Sequence, residues 1–288
     1  MTVRSWRRER PIKLRRGGLL QRAGGTSSLD RVRAPHRRAI AVRPLPASTR
    51  SVVPAAVSVR IRPQNAAQAG PAIGAVLAGG RGRRMGAEKS AIAVAGRSLA
   101  RRAVDSVQAI GLELVLVLRP DQAVPEDVRR VKIVRDKVED AGPLGGLHAV
   151  LRASPAEWVL AVACDQPLLE PALLRALLAE RTPDVDVVLG GISTRRHPFP
   201  GVYRRTCLAR IEQLLGAGER SMRALLRSVR VGYVAAETLS GCDRDLRSYL
   251  NVNTPADLER ASALASATDT PAASERKLPS RSRAAARP

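Results

Sequence analysis

The sequence is poor in aromatic residues and cysteines, and it lacks long apolar runs. Phe, Trp and Tyr make up 2% of the 288 residues, so aliphatic side chains must fill any core, as they do in parallel sheets covered by helices. No apolar stretch approaches the ~20 residues that cross a bilayer. We therefore expect a cytoplasmic protein that does not bind membranes. A disulfide framework or structural zinc site is not expected either, because no CxxC pair occurs among Cys164, Cys207 and Cys242.

Positive charge is concentrated at the two ends of the chain. The formal net charge is +23, but residues 1–70 hold 16 Lys and Arg against two acidic residues, and residues 272–288 hold five against one. The ends mix Arg with Pro, Ser, Ala and Gly without periodicity. We therefore predict a disordered basic extension at 1–70 and a disordered basic tail at 264–288. Nucleic acid would bind these ends only non-specifically, through its phosphates.

The extension at 1–70 has two further interpretations. Its Arg-rich, acid-poor composition is similar to that of an organellar transit peptide, although it is a poor secretory signal. It is also compatible with upstream sequence that is translated by error. Whether residues 1–70 are present in the mature protein stays open.

The central segment, residues 71–263, alternates apolar runs with stretches of helical periodicity. Five strands are predicted, at residues 73–78, 112–118, 131–134, 158–163 and 185–189. Apolar residues recur at helical spacing within residues 99–110, 144–151 and 173–178. This alternation predicts an α/β domain with three layers, in which a mostly parallel sheet is flanked by helices. Ligands of such sheets bind beyond the carboxyl ends of the strands.

Three polar features follow predicted strands. A glycine-rich turn at residues 79–89 follows the first strand; its glycines let backbone N–H groups approach phosphates, and Arg84 and Lys89 add positive charge. Its spacing fits neither a P-loop nor a dinucleotide-binding turn. Asp165 ends a later strand, and a carboxylate placed there suits a hard cation such as Mg²⁺. Asp136 also follows a strand and precedes the Gly-Pro-Leu-Gly-Gly turn that opens a helix. The simpler alternatives are a helix cap for Asp165 and a solvated loop acid for Asp136.

Seven motifs occur in a fixed order along the central segment: LAGG at 77–80, RMG at 84–86 before an acid–Lys pair, GPLGGL at 142–147, CDQP at 164–167, HPFPGVYRR at 197–205, GERSMRALL at 218–226 and NVNTPADL at 251–258. The ordered set resembles the molybdenum cofactor guanylyltransferases over about residues 73–260. This resemblance implies a Rossmann-like nucleotidyltransferase fold. It also implies transfer of GMP from GTP to molybdopterin with Mg²⁺ and release of pyrophosphate. Cofactor carriers or molybdoenzyme-specific chaperones are the protein partners implied.

The resemblance also assigns roles to individual residues. It places the bound nucleotide against Leu77, Ala78, Gly79, Gly80, Lys89, Asp136 and Asp165. It assigns catalysis to Arg84 and Lys89, which would hold phosphates, and to Asp165, which would bind the metal. Asn251 and Asn253 would lie near the acceptor, although turn formation and capping of the next helix explain them as well.

Two positions depart from the family pattern. Glu88 stands where an Asp usually precedes the lysine, and the second strand ends at Arg119 in a region where the family often has Asn. One nucleotide contact is therefore missing or supplied by another group.

Three other functions remain open. The Gly79-Gly80 pair resembles enzymes that use guanine nucleotides, whereas related cytidylyltransferases tend to have Ala-Gly, but CTP or another phosphorylated acceptor is an alternative. A basic nucleic-acid-binding protein is the alternative from a different class. A degenerate family member kept as an interaction partner is the third, and the presence of Lys89 and Asp165 argues against it.

Overall fold

A computed structural model describes residues 58–60, 70–80, 88–138, 140–192 and 197–269. The predicted disordered ends lie largely outside the described residues, so their disorder and the domain boundaries at 70 and 263 stay predictions. Within those ends, residues 58–60 form a short strand, and the last helix continues to residue 269. In the described part of the chain, no helix combines the length and apolar character that crossing a membrane requires.

Ten strands occur among the described residues: β1 (Ser58–Arg60), β2 (Ala72–Leu77), β3 (Ala93–Val94), β4 (Arg97–Ser98), β5 (Leu114–Leu118), β6 (Lys132–Arg135), β7 (Trp158–Ala163), β8 (Val187–Gly191), β9 (Gly201–Arg204) and β10 (Val231–Ala235). Eight of them form one sheet in the order β1-β10-β8-β9-β7-β2-β5-β6, and β3 and β4 pair separately as a small antiparallel hairpin. In the large sheet only β9 is antiparallel to its neighbours, β7 and β8. The sheet is therefore mostly parallel, as predicted.

The described residues also form seven α-helices: α1 (Leu99–Gln108), α2 (Gly142–Ala153), α3 (Pro171–Ala179), α4 (Cys207–Gly216), α5 (Met222–Leu226), α6 (Ala236–Cys242) and α7 (Pro255–Asp269). Local sequence determines where several of them begin. The Ser98 hydroxyl accepts the Arg101 N–H at 3.0 Å and caps α1. Proline stands in the first turn of α2 and of α3, where a missing N–H costs no helical hydrogen bond.

Alternate residues of β2 face opposite sides of the sheet and enter two different cores. Val76 packs in one core with apolar residues of α1, α3 and α6, whereas Ala75 and Leu77 pack in the other with residues of α2, α4 and α5. Trp158 and Tyr203 are fully buried, but most of the core is Leu, Val and Ala. The three-layer α/β architecture with an aliphatic core is therefore confirmed.

The five predicted strands correspond to β2, β5, β6, β7 and β8; the bounds of β7 agree with the prediction, and no end of the other four is displaced by more than two residues. The other five strands, β1, β3, β4, β9 and β10, have no counterpart among the predicted ones. β9 is four residues long and lies inside the HPFPGVYRR motif, and β10 contains Gly232. Both strands are fixed by pairing across the sheet rather than by a local pattern, because β9 fills the space between β7 and β8 and β10 pairs with β8.

The close packing of α1 on β2 requires a glycine at position 74. A Cβ there would lie 2.3 Å from Val107 Cγ1 and 3.2 Å from Leu114 Cβ. We expect Gly74→Ala to lower the free energy of unfolding by about 1–3 kcal/mol, because the crowded methyl forces side chains or backbone to shift. Urea unfolding measures this loss. Gly216→Ala is the control, since nothing lies within 4 Å of its added Cβ; an equal loss in both variants would contradict the packing argument.

Candidate active site

The carboxyl ends of four parallel strands bring polar residues to one edge of the sheet. In the spatial order β7-β2-β5-β6, these strands are followed by Asp165, the turn at residues 78–80, Arg119 and Asp136. Neighbouring strands lie ~4.8 Å apart, so the four chain ends form a row roughly 15 Å long. This is the edge at which open α/β sheets bind ligands.

Lys89 and Asp165 meet at one end of this row. The Lys89 ammonium donates a hydrogen bond of 2.7 Å to Asp165 Oδ2 and another of 2.7 Å to Asn253 Oδ1. The Lys89 side chain is 13% exposed and that of Asp165 is 21% exposed, so the ion pair is shielded but open on one side. Two oxygen atoms, one from a carboxylate and one from an amide, therefore accept hydrogen bonds from a single positive charge.

The segment before α7 holds Asn253 in this position. Thr254 Oγ1 accepts the Asp257 N–H at 3.2 Å, and Asp257 Oδ2 accepts the N–H groups of Asn253 and Thr254. This reciprocal pair caps α7, which leaves the Asn253 side chain available to Lys89. The Val252 N–H donates to the Asp165 carbonyl at 2.8 Å and ties the segment to the end of β7. Asn251 lies exposed at the start of the same segment.

The turn after β2 is fixed by backbone contacts with both neighbouring strands. The Ala78 N–H donates to the Val117 carbonyl at 2.8 Å, and the Leu77 carbonyl accepts the Cys164 N–H at 3.1 Å. A Cβ at Gly80 would lie 3.6 Å from Lys89 Cδ, so the turn runs directly past the lysine side chain. Arg84 lies outside the described residues, and its role as a phosphate ligand stays a prediction.

Arg119 and Gln122 are site residues that the sequence analysis did not assign. Arg119 donates to the Gly79 carbonyl at 2.8 Å and to Glu88 Oε1 at 2.7 Å. The hydrogen bond that Arg119 donates to Glu88 raises the pKa of the Arg119 guanidinium. Glu88 and Arg119, the two positions that depart from the family pattern, therefore contact each other. The available signal was the polar segment Arg-Pro-Asp-Gln directly after the second predicted strand, the same placement that singled out Asp136 and Asp165.

Asp136 lies at the other end of the row, beside the first turn of α2. Its side chain is half-buried and accepts the Val138 N–H at 3.0 Å. Burial raises the pKa of Asp136, against the opposing effects of the Val138 N–H and the nearby His148. A Cβ at Gly145 would lie 2.5 Å from Asp136 Oδ2. The GPLGGL motif thus has a physical reason, because only glycine at this position admits the carboxylate so close to the start of the helix.

Comparison with known proteins identifies relatives along the same central segment. Residues 74–233 match the MobA-like NTP transferase domain. The chain is 33% identical over 196 residues to a probable molybdenum cofactor guanylyltransferase of Pelotomaculum thermopropionicum, covering 67% of this chain and 93% of that protein. It is 31% identical over 193 residues to the molybdenum cofactor guanylyltransferase of Desulfosudis oleivorans, covering 66% and 94%.

A solved structure shares the fold. The crystal structure of molybdopterin-guanine dinucleotide biosynthesis protein A from Archaeoglobus fulgidus matches with a TM-score of 0.59 and 26% identity, covering 67% of this chain and 98% of that one. The family domain spans more than half of the chain, and the sequence relatives are covered over nearly their whole length. The chain therefore belongs to the MobA-like NTP transferase family and is a nucleotidyltransferase.

Proposed function

We propose that this protein transfers GMP from GTP to molybdopterin and releases pyrophosphate. The observation that carries the proposal is the convergence of Lys89, Asp165 and Asn253 beside the glycine turn of β2. Relatives above 30% identity are named molybdenum cofactor guanylyltransferases, which supports the choice of nucleotide and acceptor. The Gly79-Gly80 pair favours guanine within this group.

Mg²⁺ is the cofactor that these residues fit. Asp165 Oδ2 and Asn253 Oδ1 already contact one positive charge, the Lys89 ammonium, and oxygen donors are the ligands that Mg²⁺ prefers. Among the described residues, no group of three or more His, Cys, Asp or Glu could hold a metal. Mg²⁺ usually takes one or two carboxylates together with substrate phosphates, so Asp165 would share the ion with GTP. Bound there, the ion would neutralise phosphate charge and polarise the reacting phosphoryl group.

The reaction requires positioning more than acid–base chemistry. A terminal phosphate oxygen of the acceptor attacks the α-phosphorus of GTP in line, the bond to the β-phosphate oxygen breaks, and pyrophosphate leaves. The attacking phosphate is ionised at neutral pH, so the protein need not supply a general base. Its residues orient the two substrates and offset negative charge in a shielded site. Lys89 holds the phosphates, and Arg84 is predicted to do the same. The backbone of residues 77–80 and the side chain of Asp136 hold the rest of the nucleotide.

Thermal stabilisation by nucleotides tests the first half of the proposal. We expect GTP with Mg²⁺ to raise the Tm of the full-length protein by several degrees, because a ligand at 100 times its Kd stabilises by ~2.7 kcal/mol. CTP is expected to give a smaller shift, and EDTA is expected to remove most of the effect of GTP. A shift as large with CTP as with GTP would contradict the guanine preference.

Pyrophosphate release tests the second half. With GTP and Mg²⁺ present, we expect pyrophosphate only after molybdopterin is added. Release that depends on a different phosphorylated acceptor, with none from molybdopterin, would favour the alternative of a related nucleotidyltransferase.

The setting of the reaction is also a proposal. We infer a cytoplasmic enzyme whose product passes to a cofactor carrier or a molybdoenzyme-specific chaperone. Nucleic acid would contact only the basic ends, where most of the net charge of +23 lies. Nucleic-acid affinity that survives removal of both ends would contradict this assignment.

A further inference from the structure

Two neighbouring side chains join residues that lie before and after the segment 81–87. The Arg119 guanidinium donates to the Gly79 carbonyl at 2.8 Å and to Glu88 Oε1 at 2.7 Å. The Gln122 amide repeats this pattern with donations of 2.9 Å to the Ala78 carbonyl and of 2.9 Å to Ser90 Oγ. Each side chain therefore connects the end of β2 to the residues around Lys89.

A tight turn presents both side chains. Gln122 N–H donates to the Arg119 carbonyl at 3.3 Å, and the Arg119 N–H donates to Gln122 Oε1 at 3.3 Å. Pro120 stands at the second position of this four-residue turn, where its fixed φ is favoured. Arg135, the last residue of β6, donates to the carbonyls of Arg119 at 2.7 Å and of Gln122 at 2.5 Å. The turn after β5 is therefore fixed by hydrogen bonds from the end of the neighbouring strand β6.

The amide of Gln122 has its hydrogen-bonding groups occupied. The residue is 3% exposed, its two N–H groups have acceptors and its oxygen has a donor. This arrangement fixes the orientation of the side chain. Arg119 is also largely covered, with 16% of its side chain exposed, whereas Glu88 is 45% exposed.

We propose that Arg119 and Gln122 form a clamp that positions the turn at residues 78–80 and Lys89 for GTP. The proposal rests on the proposed function. The clamp holds the carbonyls of Ala78 and Gly79 on one side and residues 88–90 on the other, so that Lys89 faces Asp165 before substrate arrives. A site that is ordered in advance loses less conformational freedom when the ligand binds, and its affinity is higher for that reason. Arg119 and Gln122 are positioning residues and need not touch the substrate.

A positioning role and a purely structural role predict different effects. The Arg119–Glu88 pair is partly exposed to solvent, where an ion pair contributes little to stability. Loss of the pair should therefore alter GTP binding more than folding. The interaction of the enzyme with its acceptor should change little, since the clamp contacts residues of the β2 turn and the Lys89 segment.

The test compares Arg119→Ala with Arg129→Ala in the full-length protein. Arg129 is an exposed arginine that pairs with Glu126 at 2.9 Å and serves as the matched control. We expect Arg119→Ala to weaken equilibrium GTP binding and raise KM for GTP about tenfold, with kcat and KM for the acceptor changed less than about threefold. The control should match the wild type. GTP affinity of Arg119→Ala within twofold of the wild type would overturn the clamp.

A double-mutant cycle keeps the proposal testable if Arg119→Ala folds poorly. Glu88→Gln preserves the shape of its side chain and removes the charge, and we expect it to weaken GTP binding about threefold. Lysine lacks the planar fork with which Arg119 reaches two acceptors, so Arg119→Lys already disrupts the contact with Glu88. Adding Glu88→Gln to Arg119→Lys should therefore weaken GTP binding little further. Fully additive losses would show that the two residues act separately and would overturn the clamp.

The binding assay also separates this proposal from the proposed function. A wild-type protein that binds no nucleoside triphosphate would refute both. Wild-type binding of GTP, together with unimpaired binding by Arg119→Ala, would refute only the clamp.

Discussion

Replacing Asp165 with alanine is expected to lower the turnover number by about a thousandfold, which corresponds to roughly 4 kcal/mol of transition-state stabilisation. Asp165 follows β7, next to the glycine turn of β2, and its carboxylate accepts a hydrogen bond from the Lys89 ammonium. Without it, the proposed magnesium ion loses its only anionic protein ligand in the Lys89–Asp165–Asn253 cluster. The measurement is Mg²⁺-dependent release of pyrophosphate at saturating GTP and acceptor.

The fold should survive this change, because the Asp165 main chain and not its side chain accepts the Val252 N–H. A Tm close to that of the wild type would establish this. The matched control is Asp184→Ala. Asp184 is an exposed acid that precedes the amino end of β8, whereas Asp165 follows the carboxyl end of the parallel strand β7. Near-normal pyrophosphate release by Asp165→Ala would rule out the metal role.

Replacing Lys89 with methionine is expected to lower kcat/KM for GTP by at least about a hundredfold, or roughly 2.7 kcal/mol. Methionine keeps much of the length of the side chain but removes the charge that bridges Asp165 and Asn253. The phosphates of GTP then lose a cation in a shielded site, where one charge has a large effect. Steady-state kinetics with GTP as the varied substrate gives the size of the loss.

Lys132→Met provides the control for Lys89→Met. Lys132 is the first residue of β6 and is exposed. It lies at the amino end of this strand, whereas the site lies at the carboxyl ends of the parallel strands. Lys89→Arg helps to separate charge from geometry, because arginine restores the charge with a planar group of different shape. If Lys89→Met retained wild-type kcat/KM, Lys89 would have no part in phosphate binding.

The edge of the sheet that carries the site could be predicted from local patterns. Gly79, Asp136 and Asp165 each follow an apolar run, and the rule that parallel strands end at one edge places them together. The same rule does not predict the direction of β9, because that direction depends on which strands flank it. The strand Gly201–Arg204 carries no signal that it runs against its neighbours.

Contacts between distant segments could not be predicted in the same way. Asn253 reaches Lys89 across 164 residues of sequence, and Arg119 reaches Glu88 across 31. The family resemblance implies that Asn253 lies near the acceptor, which stays a prediction, and capping of α7 was the alternative. The capping hydrogen bonds come from Thr254 and Asp257, and neither assignment included the contact of Asn253 with Lys89. Such pairs depend on how the segments pack and not on the spacing of the residues along one strand or helix.

The reversed direction of β9 has a consequence for the surroundings of Asp165. Because β9 runs antiparallel to β7, the chain enters it at the edge where Asp165 lies, and the Phe199 carbonyl there accepts Gln166 Nε2 at 2.8 Å. A parallel strand would send this entry loop to the far side of the sheet. Substitutions at residues 197–200 can therefore alter the surroundings of Asp165, while the turn after β2 is held by backbone hydrogen bonds to Val117 and Cys164.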